Sequence, residues 1–329
     1  MSVATTIEPR ALELPAPRGP LSGWVLARLR GAREARPTVA LGDPFDDDLQ
    51  LALYCCYEPH FSDLPQVGDD AEWDVGLLPF RRELECAFEI GLRDVVGGVP
   101  LTGSVRELIP TMIAADDGPS LSRHMEHDGT LEEMRDIVVH RSAYQLKEAD
   151  GHTFGIPRLA GPAKQLLARI QAGEYGADAD GRVMHSALFA QTMRELGLDD
   201  RLHAYLDVLP GSALAISNVI SLFGLNRRWR GALVGHLAVF EMTSVEPMGR
   251  YARGLERLGA SAAARRFYDV HVLADAEHEV MALDMAEAFT AAEPHRVADV
   301  LFGAGCAIAA EVRFAERLSA GFEARRRTR

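Results

Sequence analysis

The stretch RRFYDVHVLADAEHEV, residues Arg265–Val280, decides how the rest of the chain is read. Its apolar residues recur at helical spacing, and its polar residues are unevenly placed. His271, Asp275 and His278 are separated by four and three residues. At ~100° per residue they fall inside roughly a 60° arc of one helix face. Two imidazoles and a carboxylate stacked over two turns form a donor set suited to non-haem iron or manganese more than to structural zinc. The competing reading is a polar helix surface on which Glu277 and Glu279 are the solvated flank. Histidine is infrequent, 11 in 329 residues, so two on one short face weigh toward a site.

The same helical period extends outward in both directions. The spacing predicts helices at Asp47–Tyr57, Leu77–Leu92, Ser104–Ala114, Leu131–Glu148, Pro162–Glu174, Met184–Leu196, Leu214–Phe223, Trp229–Phe240, Pro247–Leu258, Ala262–Ala288 and His295–Arg325. Their ends carry matching chemistry. Thr130 offers a cap with Glu133 three residues on, Pro162 suits a first turn, and Gly197 suits a left-handed C-terminal position. Strands are scarce and no solenoid period is present, so the fold class is all-α. Residues 1–38, with five of the 17 prolines, read as a flexible arm with a short helix around Trp24–Leu29. Residues 39–329 read as a single helical domain.

Composition removes several functions. A formal charge of -13, from 35 Lys plus Arg against 48 Asp plus Glu, repels a polyphosphate backbone, so nucleic acid is not an expected partner. With 47% hydrophobic residues a sizeable core can be buried, yet no run approaches the ~20 apolar residues of a membrane span. The four cysteines, two of them adjacent, form no C-x-x-C pair, which suits a reducing cytoplasm. No phosphate-cradling glycine loop follows a strand, and no Gly-x-Ser-x-Gly occurs.

One helix cannot complete a two-metal site, so other helices must bring ligands to the His271 face. Glu174 ends the stripe Ala163, Leu167, Ile170. His185 starts one that continues through Leu188 or Phe189, Thr192 and Leu196. Charge at such core-facing positions is costly unless paired or metal-bound. Glu148 follows Ile137, Arg141 and Tyr144 at the same spacing. His236 and Glu241 read as a hydrogen-bonded pair supporting a ligand, or simply as a satisfied buried histidine. His124 and His127 stand in a polar segment that reads as a loop. The GADADG run at residues 176–181 reads as a loop between helices.

In order and approximate separation, Glu148, Glu174, His185 and His271-x-x-x-Asp275-x-x-His278 resemble the ligand set of the haem-oxygenase-like diiron oxidases and oxygenases. QLKEAD at 145–150, IPRL at 156–159, EYG at 174–176, FEMTS at 240–244 and RYARGL at 250–255 add to the resemblance, which spans roughly residues 45–325. The resemblance implies a haem-oxygenase-like helical bundle that binds two iron ions instead of haem, with those six residues as metal ligands. It implies O2 as co-substrate and a small-molecule substrate. N-oxygenation of an amine in secondary metabolism is the expected outcome. Oxidative C–C cleavage, desaturation and a non-catalytic helical ligand-binding protein are the alternatives. No flavin or iron–sulfur motif is visible, so electrons are expected from an external ferredoxin or reductase. A homodimer is among the assemblies considered. The Glu-x-x-His repeat of ferritin-like proteins is absent from these helices.

Overall fold

Helical spacing becomes helices throughout the computed structural model, which describes residues 11–99 and 102–328, apart from the Asp275 side chain. Fourteen α-helices and no strand occur among the described residues. The first five are α1 Pro20–Leu29, α2 Asp47–Tyr57, α3 Leu77–Val96, α4 Val105–Ala114 and α5 Leu121–His127. Then follow α6 Leu131–Gln145, α7 Asp150–Thr153, α8 Gly161–Glu174, α9 His185–Glu195 and α10 Gly211–Leu225. The chain ends with α11 Arg230–Met242, α12 Val245–Arg257, α13 Ala262–Ala292 and α14 Val297–Arg327. Among the described residues no helix is long and apolar enough to cross a membrane.

The long helix α13 is the axis around which the site is built. Ser261 caps its start by accepting from the Ala264 N–H at 3.1 Å. Helices α8, α9, α11 and α12 pack along its length. Phe267 of α13 meets Phe189 of α9 with ring centroids 5.1 Å apart, both fully buried. Each such side chain contributes about 1.5–3 kcal/mol by leaving water. Helices α11 and α14 cross very closely. A Cβ on Gly235 would lie 1.8 Å from the Val300 carbonyl oxygen, and one on Gly303 would lie 1.9 Å from that of Ala232. Only glycine permits that approach. Helix α10 is buried on every side from Gly211 to Gly224, as its largely apolar sequence requires.

Three expectations are corrected. Helix α6 ends at Gln145, not Glu148, because Ala149 takes a left-handed conformation (φ 80°) that turns the chain into α7. Glu148 therefore stands in a turn. Residues 121–127 form a helix rather than a loop, since the Ser120 side chain caps the Arg123 N–H and Leu121 and Met125, four apart, are buried. The part of the expected arm that the structure describes is docked. Leu14, Trp24, Val25 and Leu26 are buried in the main core, and Trp24 packs on Phe80 with centroids 4.6 Å apart. The capping box of Thr130 and Glu133 is present, and Gly197 has φ 73°.

Candidate metal centre

Five elements converge on one buried spot. Glu148 comes from the turn after α6, Glu174 is the last residue of α8, and His185 is the first of α9. Glu241 stands near the end of α11, and His271 and His278 lie two turns apart on α13. All six side chains are buried. The Asp275 side chain lies outside what the structure describes, although its backbone continues α13 between the two histidines.

The donors form two adjoining groups. Glu148, Glu174, His185 and His271 offer ligand atoms within 4.8 Å of one another, and so do Glu174, Glu241 and His278. Glu174 belongs to both. Its Oε2 lies 2.8 Å from His185 Nδ1, and its Oε1 lies 3.1 Å from His278 Nδ1. Glu241 Oε2 is 3.5 Å from the same His278 nitrogen, and the rings of His185 and His271 lie tilted at 47° with centroids 4.2 Å apart. Gly173 makes room for His278: a Cβ there would sit 2.5 Å from His278 Nε2.

The chemistry of these donors fits a cation. The Phe267 carbonyl can only accept, so His271 Nδ1 must donate to it at 2.7 Å. In the neutral ring this leaves a lone pair on Nε2, which faces Glu148 Oε2 at 3.5 Å. Two acceptors face each other there unless a proton or metal lies between them. Glu148 Oε2 and His185 Nδ1 are also buried without a hydrogen bond of normal geometry, a costly condition for polar atoms. Burial pushes the Glu174 carboxyl up, but the imidazoles of His185 and His278 beside its two oxygens outweigh it and hold the group below the usual carboxylate range. Nitrogen and carboxylate donors without a thiolate suit iron or manganese.

The residues set aside in the sequence divide. His236 pairs with His152, Nδ1 to Nε2 at 3.1 Å, rather than with Glu241. Burial lowers the His152 pKa to about 4 and takes His236 well below its ordinary value. His124 contacts Glu133 at 3.2 Å, far from the centre in function, as part of the α6 start. Glu241 is the donor that sequence reasoning assigned a different role. Its signal was the spacing Leu233, Leu237, Glu241, an apolar stripe ending in a carboxylate just as the α8 stripe ends in Glu174.

A cavity of about 290 Å³ opens on this cluster, lined by Glu148, Glu174, Glu241 and His271 at one end and by apolar side chains such as Leu237 and Phe240. A family model for iron-containing redox enzymes matches residues 135–312, the stretch that supplies every one of these donors. A curated protein, nitrosourea synthase from Streptomyces achromogenes subsp. streptozoticus, is 27% identical over 137 residues. That match covers 42% of this chain and 29% of the relative.

Proposed function

The chain belongs to the iron-containing redox enzyme family, and from that premise we propose that it is a non-haem diiron oxygenase that transfers oxygen to the nitrogen of a small amine. The observation that carries the reading is the sharing of Glu174 between two adjoining donor groups. A carboxylate with one oxygen toward each group would be able to serve both ions. In this reading Glu148, His185 and His271 would hold one ion and His278 and Glu241 the other, and Asp275, between the two histidines in the sequence, would be a further ligand. The name of the relative, nitrosourea synthase, denotes a product whose nitrogen carries oxygen, which favours N-oxygenation over C–C cleavage or desaturation.

A bound pair of irons supplies the electron transfer to O2 that oxygen insertion needs. The overall balance is amine plus O2 plus two electrons and two protons giving hydroxylamine plus water. The electrons come from an external donor, a ferredoxin or reductase. The chain's own residues do the rest. His271 is held in one tautomer by the Phe267 carbonyl, which aims Nε2 at the centre. Leu237 and Phe240 keep the cavity wall apolar and limit water around the reacting nitrogen. The His152–His236 contact holds one shared proton between Nε2 and Nδ1 beside the cavity.

Anaerobic loading with Fe(II), followed by iron analysis, tests the reading first. About two irons per chain are expected. Exposure of the loaded protein to O2 with candidate amines should then give a product heavier by one oxygen, labelled when 18O2 is supplied. Failure to retain iron, or turnover that leaves no O2-derived oxygen in the product, overturns the proposal.

A further inference from the structure

The cavity does not end at the apolar wall. From Glu148 it runs outward past Tyr144, Tyr268 and Tyr251 to Arg141 and Glu311. Arg141 is the single lysine or arginine among the described residues that line it, and carboxylates line it at several points. The guanidinium meets Glu311 through both terminal nitrogens, at 2.6 and 2.5 Å, and lies 4.1 Å from the Phe314 ring centroid. A fork-to-fork contact of this kind occupies two of the five guanidinium N–H groups and leaves the others available. Tyr251 and Tyr268 line the same space, and burial pushes both hydroxyls above the ordinary tyrosine value, so they remain protonated donors.

We propose that this outer end is a carboxylate subsite: the amine substrate also carries a carboxylate, which Arg141 and the tyrosine hydroxyls bind while its nitrogen lies toward the metal centre. The inference rests on the oxygenase reading and adds the substrate class. Arg141 stands four residues before the last residue of α6, roughly 6 Å along the axis at 1.5 Å of rise per residue, and Glu148 lies in the turn beyond that end. The two functional groups are therefore separated by several bonds, not borne on one carbon. A planar carboxylate matches the guanidinium fork, and the accompanying amine cation offsets the acidic surplus of the lining. Glu311 holds the guanidinium in place and keeps the pair neutral before the substrate arrives.

The test is anaerobic titration calorimetry on the iron-loaded protein with three probes: 5-aminopentanoate, its methyl ester and pentylamine. The acid should bind at least tenfold tighter than the other two. Arg141→Gln should bind all three alike, and so should the charge-balanced Arg141→Gln/Glu311→Gln protein, whose fold is checked by thermal unfolding. The proposal is overturned if the acid has no advantage in the wild type, if its advantage survives in the double variant, or if none of the three binds at millimolar concentration. Survival in the double variant would make the Arg141–Glu311 pair a strut between α6 and α14. The two readings fail separately. Tight acid binding without oxygen transfer sinks the oxygenase and leaves the subsite, whereas oxygen transfer to amines regardless of a carboxylate does the reverse.

Discussion

Two clusters of buried charge lie on either side of one residue pair, and they are balanced in opposite ways. Glu58, fully buried, receives a hydrogen bond from the Lys147 ammonium and another from the Ser62 hydroxyl at 2.6 Å, and His203 Nε2 lies 3.2 Å away. Lys147 also sits 4.8 and 4.9 Å from the ring centroids of Tyr54 and Phe61. Burial pushes the Glu58 carboxyl up, yet Lys147 and His203 more than offset this and bring it down to about 2. One residue later Glu148 enters the other cluster, where, among the described residues, three carboxylates meet three imidazoles. The first cluster supplies its own cation. The second presents acid and lone pairs to a common point, and that difference separates a structural ion pair from a metal centre.

The largest effect expected from breaking this contrast comes from Glu174→Ala. Removing the carboxylate common to both donor groups should abolish O2-dependent turnover, by 10³-fold or more on the scale of lost electrostatic stabilisation, and iron retention should fall well below two per chain. Normal iron content and turnover in that variant would show that the shared position is not a bridge.

Next comes Lys147→Met, which should destabilise the fold by about 3–5 kcal/mol because Glu58 is left as a buried, poorly compensated charge. Adding Glu58→Gln should recover much of that loss in denaturant unfolding. If the double variant is no better than the single one, the first cluster is not the self-balanced pair described above.

A somewhat smaller effect follows from acid. His152 titrates at about 4 in the fold against an ordinary 6.5, so the unfolded chain takes up the proton first as pH falls. The stabilisation is full above pH 6.5 and is lost progressively down to about pH 4, amounting to roughly 3 kcal/mol. Unfolding curves across that window should show His152→Phe flatter than the wild type. Equal slopes would mean that the buried pair is not held neutral.

The smallest effects concern the surroundings of the centre. Gly173→Ala would bring a methyl against His278 Nε2 and should weaken iron affinity by about tenfold with little change in helix content. Unchanged affinity, read by competition with a chelator, would mean that His278 has room to move.

How much of this was legible depends on whether a residue's period or its neighbours carried the information. The α13 triplet His271, Asp275 and His278 declares a common face by spacing alone, because a regular helix fixes angle from sequence distance. Glu174 and His185 were visible as polar ends of apolar stripes. Glu148 was placed on a helix that in fact stops at Gln145, since nothing local announces that Ala149 adopts φ 80°. Glu241 carried the same stripe signal as Glu174, but its pairing with His236 looked equally good until His152 was seen to occupy that imidazole.

The sequence by itself determined the helices, most of their limits, the shared face on α13 and the kinds of donor present, because each follows from periodicity and side-chain chemistry within a few residues. Only the tertiary structure decided that Glu174 touches both His185 and His278, that Glu241 joins them, and that Lys147 turns away to Glu58. Most of those are meetings between elements dozens of residues apart in the chain. Close crossings such as Gly235 on Val300 set them, and helix-to-helix packing has no one-dimensional period to read.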